Sequence, residues 1–467
     1  MLKKTDPAII QSYLEDSSNF SGGFTDGVYV PENENEIIEA VAECNAKQIP
    51  LTVHAGGTGT TGGGIPFGGW VLSTEKLNKI TEINPQGKFA IVQPGVTLAE
   101  IEAAAAKEGL LYAPDPTEKN ATIGGNAATN ASGGRCYRFG STRSHIRRLR
   151  IVLPSGNVLD LKRGMPINFP PPHYSMPAVK SSAGYYSKAG MDLLDLFIGQ
   201  EGTLGIVSEV EIGLVPALQA TFDLIAFFPK EESAVDFVLE AKKNNDPLVN
   251  FFEFLDNNTL QMLKASYPHI PEGSKAAVYI EQEITAENEK TYLDNWAKRL
   301  EKYHVPLDNC WLAADNAQKE ELTSFRHAIP EHVNELFKKQ HLVKLASDIA
   351  VPAQYCKEMY NFYDLRLTTY DQRLFYIKFG HIGDNHLHVN LLPKNEEQLK
   401  IAQDLIMQFI KKGISLGGTV SAEHGIGKIK RPYLKEMYGK AGISEMRRVK
   451  RLFDPNQILG KGNLFDF

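Results

Sequence analysis

From His54 to Gly69 the chain reads HAGGTGTTGGGIPFGG. Gly57-x-Gly59-x-x-Gly62 inside this run matches the dinucleotide fingerprint, which needs a helix directly behind it to present its N-terminus to the pyrophosphate. Gly63, Gly64, Pro66, Gly68 and Gly69 follow instead, and no helix forms through them. The next regular piece is the strand WVLST, and the piece before the run is a short strand from Ile49 to His54. The loop is therefore predicted to join two strands. Its successive glycines can expose backbone N–H groups as a concave nest that a phosphate approaches closely. A flexible hairpin loop is the plain alternative.

Residues 31 to about 217 continue in the same style, alternating short strands with helices. PENENEIIEAVAECNAKQ has apolar residues at helical spacing, and KFAIVQP reads as a strand. Thr97-Leu-Ala-Glu100 is a capping box opening an alanine-rich helix that stops at Gly109. IVLPSGNVLDL reads as strand and turn. The texture changes near Thr221. TFDLIAFF, a helix through Lys242 and LVNFFEFL read as a βαβ unit, and KAAVYIEQEI, LVKLASDIAVP and RLFYIKFG as further strands. This predicts a second α+β domain whose sheet is covered on one face. The last ~55 residues return to glycine-rich loops and short helices. The expected division is 1–217, 218–410 and 411–467, with an α+β fold class overall.

The net charge of −6 argues against a nucleic-acid footprint. One basic run, from Arg143 to Arg150, reads as the solvated edge of the strand that follows. The N-terminus, MLKKTDPAIIQSYLEDSS, reads as no secretory signal, and no run of ~18 apolar residues suggests a membrane span. Cys44, Cys136, Cys310 and Cys356 lie far apart without a CxxC, which argues against Fe–S clusters, Cys-bound zinc and a disulfide framework. A reducing cytoplasm is the expected compartment, with peripheral attachment to a membrane left open.

Three later segments set small residues beside a strand or helix start: YAPDP at 112–116, TIGGN at 122–126 leading to SGG at 132–134, and FIGQEGTLGIV at 197–207. With the glycine loop, and in this order, they resemble the FAD-binding domain of the vanillyl-alcohol oxidase superfamily. The resemblance runs from about residue 20 to Phe465 and is to the branch of D-lactate dehydrogenase, the glycolate oxidase flavin subunit and D-2-hydroxyglutarate dehydrogenase. It implies a two-subdomain FAD-binding domain plus an α+β cap domain with an antiparallel sheet. It implies that Gly56, Gly57, Thr58, Gly59, Thr60, Thr61 and Gly62 wrap the FAD pyrophosphate. Asp115, Thr122, Gly125, Asn126, Glu201, Gly205, Ile206, Val207 and Asn463 would line the rest of the flavin. Relatives usually carry Arg-Gly where this chain has His54-Ala55. His54 does not match the position of the covalent flavin link in some members, so non-covalent FAD is expected.

A second constellation, FGHIGDNHLHVN at 379–390, has strands running in and out of it. Asp384 and Asn385 tolerate φ > 0, and a two-residue turn centred on them sets His381 directly opposite His388, with Asn390 on the same face. Paired imidazoles suit a divalent metal, while a lone histidine is more often structural. GGTVSAEHGIG at 417–427 adds Glu423 and His424 in a glycine-rich loop. In the resembled family a similar His-x6-His and Glu-His-Gly supply metal ligands and base, which here match His381, His388 and Glu423 as ligands and His424 as base. Asn385 and His386 stand where relatives more often have Gly-Asn, so His386 is a candidate extra ligand or substrate contact. Arg326 and Lys344 match positions that grip the substrate carboxylate, although Pro330 replaces a common threonine.

The resemblance thus implies oxidation of a small 2-hydroxy acid, with hydride passing to flavin N5, a zinc or manganese ion polarising the hydroxyl and His424 taking its proton. Without Fe–S cysteines the electrons must leave to a quinone, an electron-transfer protein or O₂, and a separate acceptor is the expected partner. A homodimer is left open. The rival readings are a metal-free flavin oxidase of alcohols or sugars, and a non-catalytic flavin subunit of an electron-transfer complex.

Overall fold

The computed structural model describes residues 1–244, 246–313, 315–340, 345–369 and 374–466. Two sheets carry the first half. In one, Gly27–Val30, Trp70–Ser73 and Leu51–His54 run parallel, with Leu2–Lys4 antiparallel at one edge. The glycine loop therefore joins two parallel strands and is no hairpin. The other sheet is antiparallel, in the order Ile80–Asn84, Phe89–Val92, Ile206–Gly213, Ile146–Val152 and Val158–Lys162. The capping box forms as expected: Thr97 accepts from the Glu100 N–H, and Glu100 accepts from the Thr97 N–H.

The basic run differs from its reading as a solvated edge. Ile146–Val152 is an inner strand, and two of its arginines pair with acids on neighbouring elements. Arg148 reaches Asp160 and Glu209, and Arg150 reaches Glu34. Arg143 is held by Asp195 and the Ile198 carbonyl. Unpaired charge is expensive to cover, so complementary acids accompany Arg143, Arg148 and Arg150, while the more exposed Arg147 donates to the Gly87 carbonyl.

The second half is built on one large antiparallel sheet. Its order is Cys310–Ala313, Ala220–Phe228, Ala276–Ile284, Val249–Leu255, Phe375–Gly380, His386–Leu392 and Leu345–Ala346, and Ile349–Ala350 also pairs with His386–Leu392. Ala276–Ile284 inserts between Ala220–Phe228 and Val249–Leu255, so the expected βαβ unit is split by a third strand. The expectation of one covered face also fails. Leu224, Ala226 and Phe228 pack with Phe237 and Trp296 on one side, and Ile225 and Phe227 with Phe325 and Ile329 on the other. Cover on both faces explains why Val249–Leu255 is an unbroken buried run rather than an alternating one.

Two arginines join the halves. Arg135 makes a two-pronged contact with Glu281 at 2.8 and 2.9 Å, and Arg138 reaches Glu283 and Asn250. The C-terminal helices are longer than expected: Glu396–Ser415 has 20 residues, and Arg431–Phe453 has 23 with a break at Gly439 (φ 63°). No helix among the described residues is long and apolar enough to cross a membrane.

Candidate active site

A cavity of about 580 Å³ runs between the two halves. Gly56 to Thr61 form one end of its wall, and Thr122, Gly125, Asn126, Glu201, Gly205, Ile206 and Val207 continue it. Gly57 has φ +69°, and a Cβ at residues 57, 59 or 63 would meet no protein atom closer than 3.6 Å. Side chains there would instead occupy the cavity, so bare backbone is what lets a phosphate approach. Gly133 in the same wall is tightly packed behind: a Cβ there would stand 1.8 Å from the Asp115 carbonyl. These features fit a bound dinucleotide.

Three residues expected at the flavin stand outside the wall. Gly62 turns towards Phe20. Asp115 pairs with Lys119. Asn463 donates from Nδ2 to the Gly63 and Glu201 carbonyls at 2.9 and 3.0 Å, tying the glycine loop to the 200–205 turn. His54 lines the cavity. Burial lowers its pKa, which keeps the ring neutral.

The other end of the cavity is lined by His381, His388, Asn390, Glu423, His424 and Arg326. The hairpin reverses through a 3-10 turn at Ile382–Asp384 closed by Asn385 at φ 55°. Phe379 pairs with His388 and Ile377 with Asn390, so His381 is not directly opposite His388. The register is displaced by two residues from a turn centred on 384–385, and an even displacement keeps every side chain on its face. The His381 and His388 rings consequently still meet, with centroids 5.7 Å apart.

Glu423 completes the cluster. Its Oε1 lies 3.2 Å from His381 Nε2 and 3.0 Å from His388 Nε2. The other ring nitrogens are committed elsewhere: His381 Nδ1 to Glu253 at 2.7 Å, and His388 Nδ1 to the Ser347 carbonyl at 3.4 Å. If each Nδ1 carries its proton, two lone pairs and a carboxylate oxygen point at one spot. That is a favourable arrangement only around a cation or a shared proton, and the N₂O donor set suits a borderline divalent ion. The acid behind His381 is the usual support for a ligating imidazole. The residues thus fit the expected metal.

The charges around the cluster act unequally on its members. Burial opposes charge on His381, but Glu253 and Glu423 outweigh it and raise the pKa to about 9. His388 is shifted down, first by burial. Glu423 is held well below the usual carboxylate range despite its burial, by His381 and Lys180. His386 is driven to about 3 by burial and then by His388.

His386 does not reach the cavity. It is fully buried, with Nε2 2.9 Å from Asp348 Oδ1, and it stands with His381, His388 and Glu423 in a group that could hold a metal ion, which is the ligand role rather than the substrate contact read for it. Arg326 does reach the cavity, from the helix Asn316–Gln340, and its NH2 donates to Glu253 at 2.9 Å. Lys344 lies outside the described residues.

His424 sits where the second-half cluster meets the glycine loop. Gly425 and Gly427 take positive φ, and a Cβ on Gly427 would stand 2.1 Å from the Thr61 carbonyl. Glu201 accepts from the Ile426 and Gly427 N–H groups at 2.8 and 2.6 Å; burial pushes its pKa up to about 7 against those donors. His424 Nδ1 lies 3.3 Å from Asp348 Oδ2, which also accepts from Lys430 at 2.6 Å, Ser421 at 2.8 Å and the His424 N–H at 3.1 Å. Lys430 and His424 outweigh burial and hold Asp348 well below its ordinary pKa.

Glu253, Asp348 and Lys180 were missed by sequence reasoning. The signal was present for two of them: single acids within the apolar stretches VNFFEFL and LASDIAVP must find buried partners.

This fold and cavity define a flavin-dependent oxidoreductase. The comparisons agree: residues 219–464 match the family of FAD linked oxidases, C-terminal domain, and residues 25–162 match an FAD binding domain. The chain belongs to the FAD-linked oxidases. It is 31% identical to the glycolate oxidase subunit GlcD of Bacillus subtilis over 97% of this chain and 92% of that one. It is 30% identical to a D-lactate dehydrogenase of Anaerostipes hadrus, covering 98% and 93%, and 28% identical to a D-2-hydroxyglutarate dehydrogenase of Xanthomonas citri pv. viticola, covering 99% and 94%. Among solved structures, p-cresol methylhydroxylase superposes with a TM-score of 0.74 at 16% identity, covering 99% of this chain and 94% of that one. The 4-ethylphenol oxidase of Gulosibacter chungangensis gives 0.72 at 17% identity, again covering 99% and 94%. Both show the vanillyl-alcohol oxidase type of fold.

Proposed function

We propose that this enzyme oxidises a small 2-hydroxy acid (D-lactate-like, glycolate or D-2-hydroxyglutarate) to the 2-oxo acid with the help of a divalent metal. The observation that carries this reading is the meeting of two imidazoles on one Glu423 oxygen, beside His424, in the cavity that the glycine loop also lines. The names of the similar proteins point to the same substrate class.

When bound, FAD supplies the two-electron acceptor, and a zinc or manganese ion supplies a Lewis acid for the hydroxyl and carboxylate oxygens. His381, His388 and Glu423 would hold the ion, and the glycine loop with Thr122, Gly125, Asn126 and Gly205 to Val207 the non-covalent flavin. His424 takes the hydroxyl proton at Nε2, because Nδ1 faces Asp348. Asp348 orients the ring and stabilises its protonated form. Arg326 has donors beyond the one Glu253 accepts, and these fix the substrate carboxylate. We assign residues 218–410 to the substrate-covering cap and 411–467 to a segment returning to the flavin. A quinone or an electron-transfer protein takes the electrons.

The test is anaerobic bleaching of the flavin by a panel of D- and L-2-hydroxy acids, with elemental analysis of the same sample. Bleaching by a hydroxy acid in metal-loaded protein, lost on chelation, is the expected result. Bleaching by an alcohol or sugar without metal identifies a metal-free oxidase. Photoreduction without bleaching by any substrate identifies a non-catalytic subunit.

A further inference from the structure

Lys180 stands beside the candidate metal cluster but is not part of the cavity wall. Its side chain is 9% exposed, and Nζ lies 3.0 Å from Glu423 Oε2 and 3.2 Å from Asp384 Oδ2. The two oxygens of Glu423 are thereby divided: Oε1 faces both imidazoles and Oε2 faces the ammonium. The backbone beside Lys180 is bound to the loop that carries Glu423. The Ser182 N–H donates to the Ser421 carbonyl at 2.8 Å, and Ser182 Oγ to the Ala422 carbonyl at 3.1 Å. Ser181 Oγ and Thr419 Oγ1 are 2.8 Å apart. The distance from ammonium to carboxylate is therefore set by a strap running along residues 419–423, rather than by a free side chain.

We propose that Lys180 is a positioning residue that makes Glu423 a one-oxygen ligand and so keeps coordination positions open for the hydroxyl and carboxylate oxygens of the substrate. The inference rests on the metal-assisted reading above. A carboxylate can bind a divalent ion through one oxygen or both. Binding through both would require Oε2 to leave a buried ammonium, which would then keep Asp384 alone, and giving up one of two carboxylate partners at that depth is unfavourable. Two imidazole nitrogens and one oxygen leave open positions, as a catalytic site needs, whereas a chelating carboxylate would take one of them. A cation close to the ion also repels it. Lys180 thus acts on geometry and adds nothing to ion affinity, which separates this role from that of a strut that merely allows Glu423 to be buried.

The two roles predict opposite results. Flavin-loaded wild type and Lys180→Met are stripped with a chelator and titrated with Mn²⁺, the bound metal being counted after equilibrium dialysis. Lys180→Met is expected to bind Mn²⁺ as tightly as wild type or more tightly, while KM for the hydroxy acid rises about tenfold. Loss of Mn²⁺ binding with flavin retained overturns the proposal, and so does an unchanged KM. If Lys180→Met does not accumulate as flavoprotein, a crystal structure of Mn²⁺-loaded wild type decides. Glu423 bound through Oε1 alone, with Oε2 still on Lys180, is expected; a chelating Glu423 overturns it. A wild-type protein that binds no divalent ion at all refutes the proposed function instead.

Discussion

The glycine loop and the histidine–glutamate cluster face one cavity and are built on opposite principles. The loop offers backbone. Its glycines matter for what they lack, and a Cβ at residue 57, 59 or 63 would point into open space that a phosphate can occupy. The cluster offers side chains, and three of them are fixed by another: Glu253 behind His381, Asp348 behind His424, Lys180 behind Glu423. A backbone cradle should therefore fail by losing its ligand, and a side-chain cluster by losing chemistry while the ligand stays. Four experiments test that separation, ordered by expected effect.

His388→Ala should abolish hydroxy-acid oxidation, a loss of about a thousandfold or more in flavin bleaching rate, because the several kcal/mol of Lewis-acid assistance go with the ion. The flavin spectrum should be unchanged; loss of flavin would join the two regions that the comparison separates. His424→Ala should keep bound metal by elemental analysis but slow anaerobic flavin reduction by about 10²–10⁴, the usual share of a general base. Metal loss in this variant, with metal retained in His388→Ala, would reverse the assignment of ligand and base. Glu253→Gln should weaken metal affinity by about 10–100-fold through looser orientation of His381, read by dialysis against graded Mn²⁺. An unaltered Kd would mean that Glu253 serves Arg326 alone.

The smallest effect is expected at the loop. Gly57→Val places a branched side chain in the space a phosphate would take, so flavin affinity should drop about tenfold. The ratio of flavin to protein absorbance reads this directly. The rate per bound flavin should stay near wild type, since no side chain of the cluster has moved. A fall in that rate at full flavin occupancy would show that the loop does more than hold the cofactor.

Much of this was legible beforehand, for local reasons. The capping box at Thr97 and Glu100 depends on residues three apart, and it forms as read. Asn385 adopts the positive φ that its residue type allows. The convergence of His381 and His388 survived a misplaced turn because strand alternation has period two. Other readings failed where distance along the chain intervened. The arginines of residues 143–150 read as solvated because Glu34, Asp195 and Glu209 lie outside any local window. The one-sided sheet was wrong because helices from distant segments cover both faces.

The amino-acid sequence by itself determined which residue types stand ready: glycines free of Cβ before Trp70, imidazoles alternating along a strand, a carboxylate next to a histidine. Those are properties of a residue and its near neighbours, fixed by backbone sterics and periodicity. Tertiary structure alone decided what each group answers to. Glu253 is 128 residues from His381, and Asp348 is 76 residues from the His424 N–H it accepts. Buried charges are stabilised by whichever partner the fold brings within about 3 Å, and no local pattern records that distance.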